Sequence, residues 1–254
     1  MKIIDSHIHL DTYKEEERNS ILAGRGYTHL ISVSMHLPSS MKNLQLARQD
    51  GRIKAAFGFH PEQPLPAEQD VRELLSWMDE HQHEMVAVGE VGLPYYLRQE
   101  NPAIELEGYL RLLEKFVIFA KEKQLPIILH AVYEDAPLVC DLLEKHRVER
   151  AHFHWFKGDE ATIRRMIANG YYISITPDVC YEREIRQLVQ HYPLELMMVE
   201  TDGPWPFEAP FTGRMTSPAM IHESVGEIAL IKQLDKEYVY ETLYRNTKRF
   251  YSLV

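Results

Sequence analysis

Asp5-Ser6-His7-Ile8-His9-Leu10-Asp11 follows a short apolar run at the head of the chain. Residues two apart on a strand face the same side, so His7 and His9, at the end of a first strand, offer two imidazoles to one metal ion. The chain holds 13 histidines, so two must often fall close together by chance. Recurrence outweighs chance here. Met85-Val86-Ala87-Val88-Gly89 runs into Glu90, Pro126-Ile127-Ile128-Leu129 into His130, Ala151-His152-Phe153 into His154, and Leu196-Met197-Met198-Val199-Glu200-Thr201 into Asp202. Metal-binding side chains at the carboxyl ends of successive strands are the layout of a (β/α)8 TIM-type barrel, whose active site lies at that one face.

The rest of the sequence agrees with that architecture. We read strands near 2–5, 29–34, 53–59, 85–90, 126–131, 150–155, 171–175 and 196–202. Helical periodicity is strongest at Val71 to His83, Glu105 to Lys123, Asp159 to Asn169 and Ser217 to Lys232. Strands alternating with helices give a parallel α/β sheet. The length of 254 residues suits one barrel, and no repeat, low-complexity tract or charge block divides it, so 1–254 is expected to be a single domain. The long irregular segment from Gly203 to Pro218 follows the last strand and should overhang the ligand face.

Composition narrows the partners. At 45% hydrophobic and 26% charged the chain is an ordinary globule, with neither an apolar run long enough to span a membrane nor a signal peptide. Two cysteines in unrelated segments, Cys140 and Cys180, favour a reducing cytoplasm. A formal charge of −10 argues against a broad footprint on duplex nucleic acid. It leaves room for a nucleic-acid end entering a positively charged, metal-containing pocket. No obligate protein partner is evident.

The ligand types specify the chemistry. His7, His9 and Asp202 are expected to hold a first ion, His130 and His154 a second, and Glu90 to bridge the two. Mixed imidazole and carboxylate ligation suits zinc, manganese or iron, with magnesium as a further possibility. Two such ions activate water and polarise the scissile group. Their charge exceeds that of the two carboxylates and favours an anionic substrate, while Asp202 is placed to take a proton during attack. His60, closing the third strand in Gly58-Phe59-His60-Pro61, is a candidate substrate contact. Asp5 and Glu200, each two residues before a ligand, are candidates for orienting a ligand imidazole. His152 is read as a barrel-interior residue, and the remaining histidines as surface or packing residues.

At these positions the chain resembles the TatD family of metal-dependent hydrolases, a branch of the amidohydrolase-like barrels. The matching pieces are Asp5 to Asp11, Gly58-Phe59-His60-Pro61, Val88-Gly89-Glu90-Val91-Gly92-Leu93, Leu125 to His130, His154-Trp155-Phe156-Lys157-Gly158, Glu200-Thr201-Asp202-Gly203-Pro204 and Asn246-Thr247-Lys248-Arg249-Phe250. The resemblance implies a TIM-type barrel, one or two divalent metals and hydrolysis of ester bonds, with deoxyribonuclease activity in several members. Three departures lie in the family's substrate-facing lettering. Pro94 stands where the family usually has Asp, Val132 where it has Arg, and Thr216-Ser217-Pro218 where it has Asn-x-Pro.

The expectation is therefore a cytoplasmic, metal-dependent phosphoester hydrolase acting on phosphodiester or nucleotide substrates such as a single-stranded DNA end. Cleavage of a C–N or lactone bond in a small metabolite is the competing reading, and a metal-binding scaffold without catalysis the third. With no Arg at position 132, Arg214 and Lys157 are the cations expected to reach a substrate phosphate.

Overall fold

The computed structural model describes residues 1–253; Val254, the last residue of the expected domain, lies outside them. Among the described residues eight parallel strands pair in chain order: β1 (Ile4–Ile8), β2 (His29–Ser32), β3 (Ile53–Phe57), β4 (Met85–Gly92), β5 (Ile127–His130), β6 (Ala151–Phe153), β7 (Tyr172–Ile175) and β8 (Met197–Val199). The ring closes just beyond the last strand. There Asp202 N donates to His7 O at 2.9 Å and His9 N to Gly203 O at 2.8 Å. The (β/α)8 architecture is thus present, with helices covering the outside.

Alternation along each strand divides the apolar core in two. On β5, Ile127 and Leu129 face outward into the large cluster that contains Leu113, Phe116 and Val117 of the helix Leu106–Lys123. Ile128 between them faces inward, joining Ile4, Ile31, Ala56, Ala87 and Met198. Phe250 and Tyr251 close this inner cluster. Tyr251 OH meets His152 Nδ1 at 2.7 Å, and His152 Nε2 meets Ser174 Oγ at 2.5 Å, so His152 is a barrel-interior residue.

Boundaries differ from the sequence reading where local polarity hides them. Helix Glu68–Glu80 begins before Val71, because its first turn is polar and is capped by Asp70 Oδ2 accepting from Ala67 N at 3.3 Å. The last long stretch opens with a tight turn, Pro218–Met220, ahead of helix Ile221–Lys232. β1 runs to Ile8 rather than ending at residue 5, with an irregular register between Asp5 and Ile8.

Two glycines let strands approach the ligand face closely. A Cβ on Gly92 would lie 1.9 Å from His130 O, and one on Gly58 2.7 Å from Glu90 O. Both contacts are with backbone, which cannot swing aside. These glycines bring His60, Glu90 and His130 to one level of the barrel.

Candidate active site

The carboxyl ends of the strands gather two groups of donor atoms around one carboxylate. Glu90 Oε2 lies 3.1 Å from His7 Nε2 and 3.2 Å from His9 Nε2, and Asp202 Oδ1 lies 3.2 and 3.3 Å from the same two nitrogens. The two imidazole nitrogens are 3.4 Å apart. Glu90 Oε1 faces the second group, with His154 Nε2 at 2.7 Å, His60 Nε2 at 3.1 Å and His130 Nδ1 at 3.2 Å. All seven side chains are buried.

Three triads among them, His7 with His9 and Asp202, His7 with Glu90 and His154, and His9 with His60 and Glu90, each offer ligand atoms within 4.8 Å of one another. Both Glu90 oxygens and Asp202 Oδ1 are buried without a hydrogen-bond donor among the described residues, although imidazole nitrogens surround them. Buried carboxylate oxygens without partners are costly. A common cation would satisfy them together.

The charge balance follows from the same contacts. Burial opposes charge on Glu90, but the surrounding imidazoles, led by His154 and His60, outweigh it and hold the carboxyl well below the usual carboxylate range. Asp202 is likewise held low against burial by His7 and His9. Burial also opposes charge on His9, yet Asp202 and Glu90 hold its imidazole up to about 10. His154 is held well above the usual imidazole range, against burial, by Glu90 and Glu200.

Behind these groups the supporting contacts differ in part from expectation. Glu200 Oε1 lies 3.7 Å from His154 Nδ1 and accepts from Trp155 N at 2.8 Å, so it does stand beside a ligand-type imidazole. Asp5 does not. Its carboxylate takes Thr201 Oγ1 at 2.5 Å and Thr201 N at 3.0 Å, tying β1 to the segment after β8. Sequence reasoning missed Glu62, whose Oε1 meets His130 Nε2 at 3.0 Å while the carboxylate accepts from Tyr96 N and Leu97 N. A carboxylate two residues beyond His60, in a loop at the ligand face, was the available signal.

A cavity of about 320 Å³ opens onto these groups, with Tyr96, Val132, Trp155 and Trp205 beside His130 and Asp202. His60 lines it too, but its Nε2 belongs to the second donor group rather than to a rim. The two expected phosphate-binding cations are elsewhere. Phe211 sinks into a cluster with Phe207 and Met220, which carries Arg214 outward over the Phe211 ring and to within 3.6 Å of Glu223 Oε1. Lys157 lies over the Trp155 ring at 5.8 Å and lines a separate cleft.

Residues 4–252 match the family model described as TatD related DNase. The chain belongs to the TatD family. A relative from Haemophilus influenzae, named as an uncharacterized metal-dependent hydrolase, is 37% identical over 99% of this chain and 100% of its own length. The human protein named deoxyribonuclease TATDN3 is 26% identical over 98% of this chain and 94% of its own. Among solved structures, the Escherichia coli TatD homologue YjjV superposes with a TM-score of 0.81 at 24% identity, covering 99% of this chain and 98% of that one, which supports the fold. The protein is accordingly a metal-dependent hydrolase of the TatD family. Among its described residues no helix is long and apolar enough to cross a membrane.

The donor set fits the metal dependence of this TatD family. Donor atoms about 3.2 Å apart have the corner spacing of a tetrahedron whose centre lies about 2 Å from each corner, the bond length of zinc to imidazole nitrogen. The three departures from TatD lettering surround the cavity. Val132 lines it; Pro94 precedes the helix Tyr95–Glu100 that presents Tyr96; and Thr216 Oγ1 holds Trp205 O at 2.5 Å.

Proposed function

We propose that this TatD-family hydrolase is a two-metal phosphoesterase that cleaves phosphodiester or nucleotide substrates, including single-stranded DNA ends. The observation that carries the reading is the division of labour within Glu90, whose two oxygens face two different sets of imidazoles. On this reading His7, His9 and Asp202 would hold one divalent cation, His130 and His154 together with His60 would hold the other, and Glu90 would offer one oxygen to each. The cations supply Lewis acidity toward the phosphoryl oxygens and lower the pKa of the attacking water.

The residues of the chain do the remainder. Asp202, reaching both the donor group and the cavity, accepts the proton of the attacking water at its carboxylate. Glu62 fixes the ring of His130 through Nε2, so that Nδ1 is the nitrogen offered to the site. Glu200 stands 3.7 Å behind His154 Nδ1 and acts on that ring by its charge, beyond hydrogen-bond distance. Tyr96, Trp155 and Trp205 exclude water and orient the substrate over the donor groups.

One observation favours a second reading. None of the cavity-lining residues is Lys or Arg, which suits an uncharged carbonyl substrate, with hydrolysis of a C–N or lactone bond, as well as it suits a phosphate. The test is a hydrolysis panel on protein reloaded separately with zinc, manganese, iron or magnesium. A phosphodiester, a nucleotide, a short single-stranded DNA, a lactone and an amide are offered to each preparation. Turnover of the phosphoesters, lost on chelation and restored by metal, is expected; turnover confined to the lactone or amide transfers the assignment to the second reading.

A further inference from the structure

The cavity beside the donor groups has aromatic walls and, among the described residues that line it, no Lys or Arg. Tyr96 and Trp205 are 45% and 50% exposed at its mouth, which leaves their ring faces open to a ligand. Trp155 is anchored more deeply, with Nε1 donating to Asp178 Oδ2 at 2.5 Å and the ring packed 5.7 Å from Phe207. Of the nearby cations, Arg98 pairs with buried Asp135 and Arg214 approaches Glu223, while Lys157 lies over the ring of the wall residue Trp155 and itself lines a separate cleft.

We propose that this cavity binds the planar aromatic group next to the scissile phosphate, an aryl substituent of a small phosphoester or the terminal nucleobase of a nucleotide or single-stranded DNA end, and does not track a run of polynucleotide. The proposal rests on the phosphoesterase reading above and narrows its substrate class. A strand threaded through a protein presents one negative charge per nucleotide, and proteins that track strands neutralise those charges with Lys and Arg. Here the donor groups are placed to serve one phosphate, and phosphates on either side would meet a wall with no Lys or Arg among its described lining residues, on a chain of net charge −10. A volume of about 320 Å³ is at the small end of ligand sites. It suits one aromatic group with its ester. Stacking on Tyr and Trp recognises any π-face and needs no counter-charge.

The experiment compares methyl 2,2,2-trifluoroethyl phosphate with its phenyl-bearing counterpart, benzyl 2,2,2-trifluoroethyl phosphate, on the metal-loaded enzyme, so that the shared leaving group carries no aromatic ring. They share a leaving group and differ only in the aromatic substituent. The benzyl compound should show a KM about tenfold lower at similar kcat, the effect of one stacking contact. Trp205→Ala should erase most of that difference, and Trp205→Phe should keep it. A dinucleotide and a 20-residue single-stranded DNA are then compared at low and high salt. Equal kcat/KM for the two lengths, with little salt dependence, supports the assignment. Equal KM for the methyl and benzyl compounds overturns it, as does a KM that falls with strand length and rises steeply with salt. If every phosphoester is inert while a lactone or amide is hydrolysed, the phosphoesterase reading itself has failed.

Discussion

Glu90 faces both donor groups with separate oxygens, Oε2 toward His7 and His9 and Oε1 toward His60, His130 and His154. Removing it should cost both cations, whereas removing His154 leaves the group of His7, His9, Asp202 and Glu90 whole. Glu90→Ala is therefore expected to purify with less metal and lower activity than His154→Ala, as read by elemental analysis and turnover; two retained ions in Glu90→Ala contradict the bridge. The site also predicts a proton balance. In metal-free protein at pH 7, His9, held up to about 10, and His154, held well above its usual range, both carry protons. A cation needs neutral imidazole, so binding must expel these protons, and affinity must weaken as pH falls and proton competition grows. Calorimetric titration of zinc into metal-free protein, repeated in buffers of different ionisation enthalpy, should show net proton release; no release, with affinity independent of pH, contradicts the assignment.

Strand ends place these side chains, and glycines set how closely the strands approach. A Cβ at Gly92 would sit 1.9 Å from a backbone oxygen, while Gly170, at φ +70°, has nothing within 4 Å of the same added atom. Gly170→Ala should cost about 1–2 kcal/mol through backbone conformation alone. Gly92→Ala must in addition force β4 from β5, and should cost at least about twice as much or prevent soluble expression; equal costs in urea unfolding would show that the strands yield. Five of the eight strands, β1, β4, β5, β6 and β8, were legible from apolar runs ending in His, Glu or Asp, since that pattern reports directly which end of a strand faces the site; β2 and β7 were legible only as apolar runs between helical stretches. His60 was legible as a residue of the same face, but its alignment with Glu90 depends on the irregular β3–β4 register and the close approach at Gly58. Neither leaves a periodic trace. Glu62 and the outward turn of Arg214 were hidden for a related reason: both lie in loops, where side-chain direction follows tertiary packing such as the burial of Phe211.

The barrel as a whole does not lean on its metal. The outer shell around Phe116 and Ile127 and the inner cluster around Ile128 and Met198 are apolar and lie away from the donor groups. Each buried Leu, Ile or Phe contributes roughly 1.5–3 kcal/mol relative to exposure. Chelation is expected to abolish turnover while leaving far-UV circular dichroism nearly unchanged, unlike a zinc finger, which unfolds without its ion; cooperative unfolding on chelation at room temperature contradicts this. Anomalous X-ray diffraction from zinc-loaded crystals would show whether a pair of cations is joined by one carboxylate. Two anomalous peaks about 3.5–4 Å apart are expected, one at each oxygen of Glu90, the first among His7, His9 and Asp202 and the second among His60, His130 and His154. A single peak, or two peaks with both Glu90 oxygens on the same ion, would contradict the bridged pair.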